Sequence, residues 1–137
     1  MKNKILMVVN VDWFFLSHRL PIALAAIDEG YEVHVATSLT QPRDKLEKFG
    51  LIVHPIDLHR GKVGFLSIIT YFLNLISLLK KIKPNLIHLV TIKPVLLGGI
   101  AARIMRVPAV VYAISGMGYV YIGTSITHKL LRKFISF

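Results

Sequence analysis

The 137-residue sequence contains no cysteine, and it is short of acidic side chains. The missing thiols exclude disulfide bonds, thiolate zinc sites and cysteine nucleophiles. Seven Asp and Glu residues stand against 17 Lys and Arg residues, so the formal net charge is +10 and the isoelectric point is about 10.1. Hydrophobic residues nevertheless make up 54% of the chain and charged residues only 18%, which excludes a disordered tail and predicts one folded domain.

The few acidic residues are confined to the first part of the chain. Residues 1–57 hold 6 basic and 7 acidic side chains, whereas residues 58–137 hold 11 basic and no acidic ones. A basic second half favours an anionic partner, such as phosphate, nucleic acid or an anionic lipid surface. We expect no nucleic-acid partner, because the sequence contains no motif of a nucleic-acid-binding module.

Glycine is missing from the place where dinucleotide-binding folds need it. The predicted first loop, residues 10–16, has the sequence Asn-Val-Asp-Trp-Phe-Phe-Leu, so NAD binding is not expected. The chain also has no G-x-x-x-x-G-K-[ST] loop, and the Gly116-Met-Gly118 turn lacks a third glycine. His54 and His59 have no supporting ligands at metal-site spacing, so we expect no metal site, and we expect His34 to be structural.

Long hydrophobic runs are scarce, and one of them requires a choice between a membrane span and a packed helix. The N-terminal run at residues 5–9 is too short for a signal peptide. Residues 63–79 carry no charge and approach the lower length limit of a spanning helix. Polar residues recur there every three or four positions beside an apolar line, which predicts a packed surface helix. The polar positions are Ser67, Thr70, Asn74, Ser77 and Lys81, and the apolar line is Leu66, Ile69, Leu73 and Ile76.

Short apolar strands alternate with helices along the chain. The predicted strands are residues 5–9, 31–36, 51–56, 86–90 and 109–113. The predicted helices are one capped by Ser17 and ended by Gly30, then residues 42–49, 64–82 and 94–105, and a last one from Ser125. This alternation predicts an α/β protein with a Rossmann-like, doubly wound parallel sheet. Ligands of such sheets bind at the carboxyl ends of the strands, so a site is expected there.

Aromatic and charged side chains cluster after the first predicted strand. Asp12, Trp13 and Phe14 place a carboxylate and two rings on the loop, where sugar stacking and ordinary packing are equally reasonable roles. The expected helix start at Ser17 brings His18 and Arg19 close to free backbone N–H groups, which favour an anion.

The fourth predicted strand supplies a second set of candidates. His88 is either a hydrogen-bonding or acid–base group in the crevice or a buried, satisfied core histidine. Thr91 and Lys93 follow the strand end and suit a phosphate or diphosphate, although an ordinary solvated lysine fits Lys93 as well. A phosphorelay receiver is excluded, because one acid follows strand one and no lysine follows strand five before Lys129.

Four blocks of the sequence together resemble a known family. The blocks are residues 9–21 (Val-Asn-Val-Asp-Trp-Phe-Phe-Leu-Ser-His-Arg-Leu-Pro), residues 30–37 (Gly-Tyr-Glu-Val-His-Val-Ala-Thr), residues 88–94 with 98–103 (His-Leu-Val-Thr-Ile-Lys-Pro and Gly-Gly-Ile-Ala-Ala-Arg), and residues 115–119 (Ser-Gly-Met-Gly-Tyr). In this order they resemble the N-terminal domain of glycosyltransferase family 4 enzymes, in particular bacterial enzymes that extend lipid-linked glycans. The similarity runs from Lys4 to about Ile122.

The resemblance implies one half of a GT-B enzyme, in which two Rossmann-like domains face each other across a cleft. The N-terminal domain of such an enzyme holds mainly the acceptor and the C-terminal domain holds the nucleotide-sugar. Transfer retains the anomeric configuration and needs no metal or other cofactor. The family's nucleotide-sugar signature, a pair of glutamates separated by seven residues in the C-terminal domain, is missing here. We therefore expect residues 1–137 to be a single, truncated N-terminal domain whose UDP-sugar-binding domain is absent.

The resemblance also assigns site residues. Many family members carry two histidines two residues apart in strand four; here His88 matches the first and Val90 replaces the second. We therefore expect His88 to line the cleft and name no catalytic residue. The acceptor side corresponds to Asp12, Trp13, Phe14, His18, Arg19, His88, Thr91 and Lys93, and the turn that approaches the interdomain cleft corresponds to Ser115, Gly116 and Gly118.

The implied partner is a polyprenyl-diphosphate-linked saccharide that is extended in cell-surface polysaccharide or glycan synthesis. The basic second half favours attachment to the anionic inner face of the cytoplasmic membrane, so a cytoplasmic, peripheral protein is expected. The basic residues in question are Lys80, Lys81, Lys83, Lys129, Arg132 and Lys133. The alternative is a non-catalytic membrane-surface or partner-binding subunit or remnant that needs a separate donor domain. A basic nucleic-acid binder is a third hypothesis, which charge alone supports.

Overall fold

The apolar runs of the sequence form the strands of one sheet, and the amphipathic runs form its helices. The computed structural model describes residues 2–56 and 65–113. The strands are β1 Lys4–Val11, β2 Glu32–Ser38, β3 Ile52–Pro55, β4 Leu86–Val90 and β5 Ala109–Ala113. The helices are α1 Asp12–Phe14, a π-helical turn Phe15–Arg19, α2 Leu20–Asp28, α3 Asp44–Glu47, α4 Phe65–Ile82 and α5 Ile92–Ile104.

All strands of the described sheet are parallel, and their order is β3-β2-β1-β4-β5. β1 is central, because Ile5 pairs with Val33 of β2 on one side and with Leu86 of β4 on the other. The chain steps outward from β1 to β3 and then crosses over through α4 to β4. The strand order therefore reverses between β1 and β4, which is where ligands bind in doubly wound sheets.

Each face of the sheet has its own apolar core. On one face, Leu6 of β1 packs in a cluster with Leu75 of α4 and with residues of α5. On the other face, Met7 packs in a cluster with Ala23 of α2 and with residues of α3. Both faces of the sheet are covered, which explains why β1 is apolar at consecutive positions rather than at alternate ones. The predicted Rossmann-like, doubly wound fold is confirmed.

The first helix begins earlier than the sequence predicts. β1 runs directly into α1 at Asp12, so the expected first loop is replaced by strand and helix, and Ser17 is not an N-cap. Ser17 lies inside the π-helical turn, where its Oγ donates a hydrogen bond to the Phe14 carbonyl at 3.2 Å. His18 and Arg19 therefore lie within a continuous helical stretch, and the prediction of a helix start beside them is wrong.

The helix α4 packs on the sheet, as predicted, but through a different face. The predicted apolar line is largely solvent-exposed, with Leu66 78% and Leu73 58% exposed. That line meets Lys80, whose charge resists burial, whereas the other apolar line continues to the C-terminal end of the helix. By length and composition α4 is also apolar enough to cross a membrane, with a mean hydropathy of 1.5. Its buried residues are Tyr71, Leu75, Leu79 and Ile82.

The remaining boundaries agree closely with the sequence. β4 and β5 have the predicted limits, while α5 begins at Ile92, two residues before the proline expected to open it. The helix α3 is shorter than predicted. His34 is buried, as expected of a structural residue, and its ring is hydrogen-bonded to Glu32 at 2.9 Å and to His54 at 2.9 Å. The helix predicted from Ser125 lies outside the described residues.

Candidate functional site

The carboxyl ends of β1, β2 and β4 meet at one edge of the sheet, where the strand order reverses. Asn10 lies near the end of β1, Thr37 near the end of β2, and Thr91 directly after β4. Each has a buried side-chain oxygen with no hydrogen-bond partner in the described structure. Buried polar atoms in folded proteins are nearly always hydrogen-bonded, so orphaned groups gathered at one edge indicate a place for a ligand or water.

Asp12 lies at this edge of the sheet, at the start of α1. Its carboxylate is completely buried, unlike the exposed loop position that the sequence predicts. Oδ1 accepts hydrogen bonds from the Trp13 N–H at 2.8 Å and the Thr40 hydroxyl at 2.6 Å, and Oδ2 accepts from the N–H groups of Thr40 at 2.8 Å and Gln41 at 3.1 Å. Burial works to raise the pKa of Asp12, but these hydrogen bonds outweigh it and hold the pKa below its ordinary value. Asp12 therefore ties α1 to the segment after β2, and a role at the acceptor stays a prediction.

The aromatic side chains of the first helix form a short stack at the surface. Trp13 is 45% exposed and meets the Phe14 ring edge-on, with ring centroids 6.2 Å apart. The Phe14 ring lies parallel to the His18 imidazole at 4.3 Å, and the Ser17 hydroxyl is hydrogen-bonded to His18 Nδ1 at 2.7 Å. The two rings are four residues apart along the helical stretch, a spacing that places side chains next to each other on a helix surface. An exposed aromatic stack suits contact with a sugar ring or an apolar chain.

Arg19 of the π-helical turn and His88 of β4 interact electrostatically. The Nε of Arg19 and the Nε2 of His88 are both buried and have no hydrogen-bond partner in the described structure. Burial, and secondarily the charge of Arg19, lower the pKa of His88. His88 is therefore neutral at pH 7, with one ring nitrogen as donor and the other as acceptor. The pair combines a fixed cation with a neutral hydrogen-bonding group.

Thr91 lies in a strained conformation between β4 and α5. Its backbone has φ of 70° and ψ of 167°, a region that residues with a side chain rarely adopt. The conformation is held in place by hydrogen bonds from its N–H to the Ala113 carbonyl and from the Val95 N–H to its own carbonyl, both at 3.0 Å. The first turn of α5 then presents the N–H groups of Ile92 and Lys93 at the positive end of a 13-residue helix.

Lys93 extends this cationic region toward α4. Its Nζ lies 5.7 Å from the centre of the Tyr71 ring, a cation–π distance. Tyr71 is buried, and its hydroxyl has no hydrogen-bond partner in the described structure. Burial raises the pKa of Tyr71, so the hydroxyl stays protonated and can donate a hydrogen bond. Two cations, a helix start and several orphaned polar atoms together suit an anionic ligand.

Comparison with known proteins identifies the family of the chain. The sequence model of the family described as "Glycosyl transferase 4-like" matches residues 4–136. The chain belongs to this glycosyltransferase family. No match to a curated protein sequence was found.

Solved structures share the fold of this glycosyl transferase 4-like domain. MurG of Acinetobacter baumannii superposes with a TM-score of 0.62 at 18% identity, over 80% of this chain and 34% of MurG. A glycosyltransferase from Rickettsia africae gives a TM-score of 0.61 at 15% identity, over 91% of this chain and 34% of that one. The chain thus spans about a third of the length of these glycosyltransferases. The C-terminal domain of the PF1911 hydrogenase of Pyrococcus furiosus gives 0.58 at 20% identity, over 83% of this chain and 93% of that domain, so the fold alone does not specify an activity.

The structure of the glycosyl transferase 4-like domain brings most of the predicted site residues to one end of the sheet. They are Asp12, Trp13, Phe14, His18, Arg19, His88, Thr91 and Lys93, each in or beside the strand ends. Ser115, Gly116 and Gly118 lie outside the described residues, so their assignment stays a prediction. Within residues 2–56 and 65–113, no group of three or more His, Asp or Glu side chains is arranged to hold a metal ion.

Three residues of this end were not among the predicted site residues, although two of them, Asn10 and Thr37, begin strand ends at which ligands were expected. Asn10 and Thr37 are polar residues that close apolar strands, and that signal, applied to β4, had already identified Thr91. Tyr71 could not be found in the same way, because the predicted packing face of α4 excluded it. All three carry buried side-chain oxygens without a partner in the described structure.

Proposed function

We propose that this domain is the acceptor side of a retaining glycosyltransferase that moves a hexose or N-acetylhexosamine from a UDP-sugar to a polyprenyl-diphosphate-linked saccharide. The observation that carries the proposal is the strained Thr91 at the start of α5, together with the buried polar atoms of this end of the sheet that have no hydrogen-bond partner in the described structure. Strain and unsatisfied groups persist where a ligand uses them. The biological process would be the synthesis of a cell-surface polysaccharide or glycan.

A diphosphate fits the charges of this end of the sheet. Arg19 at the end of the π-helical turn and Lys93 in the first turn of α5 supply two cations, and that turn of α5 adds two N–H donors. The sequence has no acidic residue after Asp57, and the Asp12 carboxylate is already occupied by four hydrogen bonds, so no exposed carboxylate of α1, β4 or α5 repels an anion. The aromatic stack of Trp13, Phe14 and His18 lies on the continuous helical stretch that also carries Arg19, and it suits the attached sugar or lipid.

The donor side of the reaction is assigned to a second domain. The family's paired glutamates would lie there, and the chain has no such pair. We therefore propose that a UDP-sugar binds mainly outside residues 1–137, that no metal or organic cofactor takes part, and that the isolated chain is inactive or nearly so. A separately encoded donor domain would serve equally well as a contiguous one.

The test is a binding titration of the chain with farnesyl diphosphate and, in parallel, with UDP. NMR amide shifts identify the site, and we expect farnesyl diphosphate to shift Ile92, Lys93 and their neighbours. Removing the charge of Arg19 or Lys93, as in Arg19→Ala and Lys93→Ala, should weaken binding about ten-fold, the effect of losing one charge-assisted hydrogen bond. UDP should bind weakly in comparison.

The matched control is Lys45→Ala, which removes one exposed positive charge from α3, on the face of the sheet that α5 and Lys93 do not cover. It should leave the affinity for farnesyl diphosphate within two-fold or so of the unaltered chain, as expected for a distant, screened charge. Tight UDP binding at Ile92 and Lys93, or equal losses in Lys45→Ala and Lys93→Ala, would mean that the assignment of the acceptor face is wrong.

We also propose that α4 attaches the domain to the anionic inner face of the cytoplasmic membrane. Four exposed apolar residues, Phe65, Leu66, Ile69 and Leu73, lie along one face of the helix, and Lys80 follows them at helical spacing. An apolar stripe that ends in lysines is the composition of helices that lie in the membrane interface. Each basic residue near an anionic surface contributes about 1 kcal/mol.

Vesicle co-sedimentation tests this attachment. The double variant Leu66→Gln, Leu73→Gln removes two exposed leucines, and burying one leucine is worth about 1.5–3 kcal/mol, so binding to phosphatidylglycerol vesicles should fall more than ten-fold. The control Ile104→Gln removes from α5 one apolar residue that is 58% exposed, the same fraction as Leu73. Equal binding of the unaltered chain to neutral and anionic vesicles, or an equal loss in the control, contradicts the proposal.

A further inference from the structure

A second cationic feature lies at the opposite edge of the sheet, where the strands begin. A groove of about 480 Å³ runs between the C-terminal ends of α4 and α5. Its apolar wall is formed by Leu79, Pro84, Met105, Val107 and Pro108, and Asn85 lies between α4 and β4. Lys80, Lys83 and Arg106 complete the lining, and these nine residues are called the basic groove below.

The backbone at two of these cations is unusual. Lys83 has φ of 52° and Arg106 has φ of 55°, both in the left-handed region. Lys83 is the first residue after α4, and Arg106 is the second residue after α5. That position is normally glycine, because a side chain there is strained. The chain follows the rule at its other helix ends, where Gly30 has φ of 94° and Gly50 has φ of 88°. The two exceptions are both basic, and both line the groove.

Neutralisation inside the protein does not explain these cations. The sequence has no acidic residue after Asp57, so neither α4 nor α5 nor the turns that follow them can supply a carboxylate. The described ion pairs join Glu32 and Glu47 to residues of β1, β2 and the start of α3.

The helix dipole does not explain them either. Lys80 and Lys81 already stand in the last turn of α4, and Arg103 stands in the last turn of α5. Positive side chains in these last turns are sufficient to interact favourably with the C-terminal ends of the helices. Strained left-handed positions are not needed for that purpose.

We propose that the basic groove binds a phosphate ester, with the phosphate on Lys80, Lys83 and Arg106 and the apolar part of the ester on the Pro84 and Met105 wall. A phosphate monoester carries nearly two negative charges and three acceptor oxygens, which matches three cations better than a carboxylate does. The volume of the groove is that of a small-molecule site. This site is at the other end of the sheet from the acceptor cluster and does not depend on the proposed transferase activity.

The decisive variant is the double substitution Lys83→Gly, Arg106→Gly. Glycine is the residue best suited to the left-handed backbone, so a purely structural role predicts an equal or higher unfolding temperature and no other effect. We expect the unfolding temperature of the variant to be equal to or higher than that of the unaltered chain. We also expect about ten-fold weaker binding of glycerol 3-phosphate, measured by NMR titration of the groove amides. The charge-matched control is Lys45→Ala, Lys48→Ala, which should bind as the unaltered chain does.

Two further arms identify the source of the ester and separate the two sites. Binding of glycerol 3-phosphate without a preference for phosphatidic acid vesicles identifies a soluble ester, and a vesicle preference that the double glycine variant loses identifies a lipid headgroup. The Arg19→Ala, Lys93→Ala variant should keep its groove shifts, so failure of the acceptor site leaves this result intact. Equal affinity of the glycine variant and the unaltered chain, equal loss in the lysine control, or no binding of either probe overturns the proposal.

Discussion

The carboxylate of Asp12 accepts hydrogen bonds from both donors of Thr40, from the hydroxyl at 2.6 Å and from the backbone N–H at 2.8 Å. This contact joins residues 28 positions apart and holds the segment after β2 against the first helix. Asp12→Asn replaces one acceptor oxygen with a donor, so we expect a loss of about 2–3 kcal/mol in the free energy of unfolding at pH 7. Chemical denaturation followed by circular dichroism measures the difference.

The pH dependence of this effect has a defined sign. Because the folded state lowers the pKa of Asp12 from 3.8, its stabilising contribution is complete above about pH 4 and is lost as the pH falls further. The difference between Asp12→Asn and the unaltered chain should therefore shrink below pH 4. Thr40→Val, which keeps the backbone donor, should cost only about 1 kcal/mol. A difference that is the same at pH 7 and pH 3 contradicts the assignment.

The paired imidazoles of His34 and His54 predict a second pH effect in a separate range. Burial, and then the charges of His34, Lys81 and Arg43, lower the pKa of His54 from 6.5 to about 4. Between pH 6.5 and 4 the His54 ring is protonated in the unfolded chain but not in the folded chain. The free energy of unfolding is therefore highest above about pH 6.5 and declines as the pH falls toward 4. The unfolding temperature should fall across this range, and NMR titration of the His54 ring should give a midpoint near 4.

The variant His54→Gln should flatten that decline. His18→Gln is the matched control, because it removes an exposed histidine on the other side of the sheet and should leave the slope between pH 6.5 and 4.5 unchanged. A His54 ring that titrates at its ordinary pKa would refute the prediction directly.

Gly98 allows α5 to lie directly against β4. A Cβ at this position would overlap the end of the Leu89 side chain, which is completely buried and would have to adopt another rotamer inside the core. Gly98→Ala should therefore cost about 1–3 kcal/mol, the range for overpacking a core. Gly99→Ala is the control, because its Cβ would lie 3.1 Å from the half-exposed Tyr112 ring, which can turn outward.

A double-mutant cycle separates overpacking from a change in helix propensity. Adding Leu89→Ala to Gly98→Ala should recover part of the loss, because the two side chains compete for the same volume. Strictly additive losses for the two substitutions would show that they do not share that space.

The packing face of α4 is tested by two leucines two positions apart. Leu75 is completely buried against the sheet, whereas Leu73 is 58% exposed. Leu75→Ala should cost about 2–5 kcal/mol, and Leu73→Ala should change the free energy of unfolding by less than about 0.5 kcal/mol. Denaturant midpoints of the two variants give the answer, and the reverse order would restore the orientation expected from the sequence.

The candidate site was predictable in part. Polar residues that follow apolar strands indicate the ligand-binding edge of a parallel sheet, and this pattern predicted Thr91 and Lys93 from the sequence. It did not reveal that Thr91 is left-handed or that the Nε of Arg19 is buried beside His88, since both facts depend on how α5 and the first helix meet β4. The position of Asp12 after the first predicted strand, and then the family resemblance, indicated this residue, but only the fold showed that both of its carboxylate oxygens accept hydrogen bonds.

The amino-acid sequence was enough to predict the alternation of strands and helices, the parallel sheet and the basic second half, because these follow from the spacing of apolar residues and from charge, which are local properties of the chain. The glycosyltransferase family was indicated by the resemblance of four sequence blocks. Three features became visible only in the folded chain: which of two apolar lines of α4 is buried, the start of the first helix at Asp12, and the groove that both Lys83 and Arg106 line. Each of these outcomes depends on competition among surfaces distant in sequence, because a helix with two apolar faces packs through whichever one its neighbours complete.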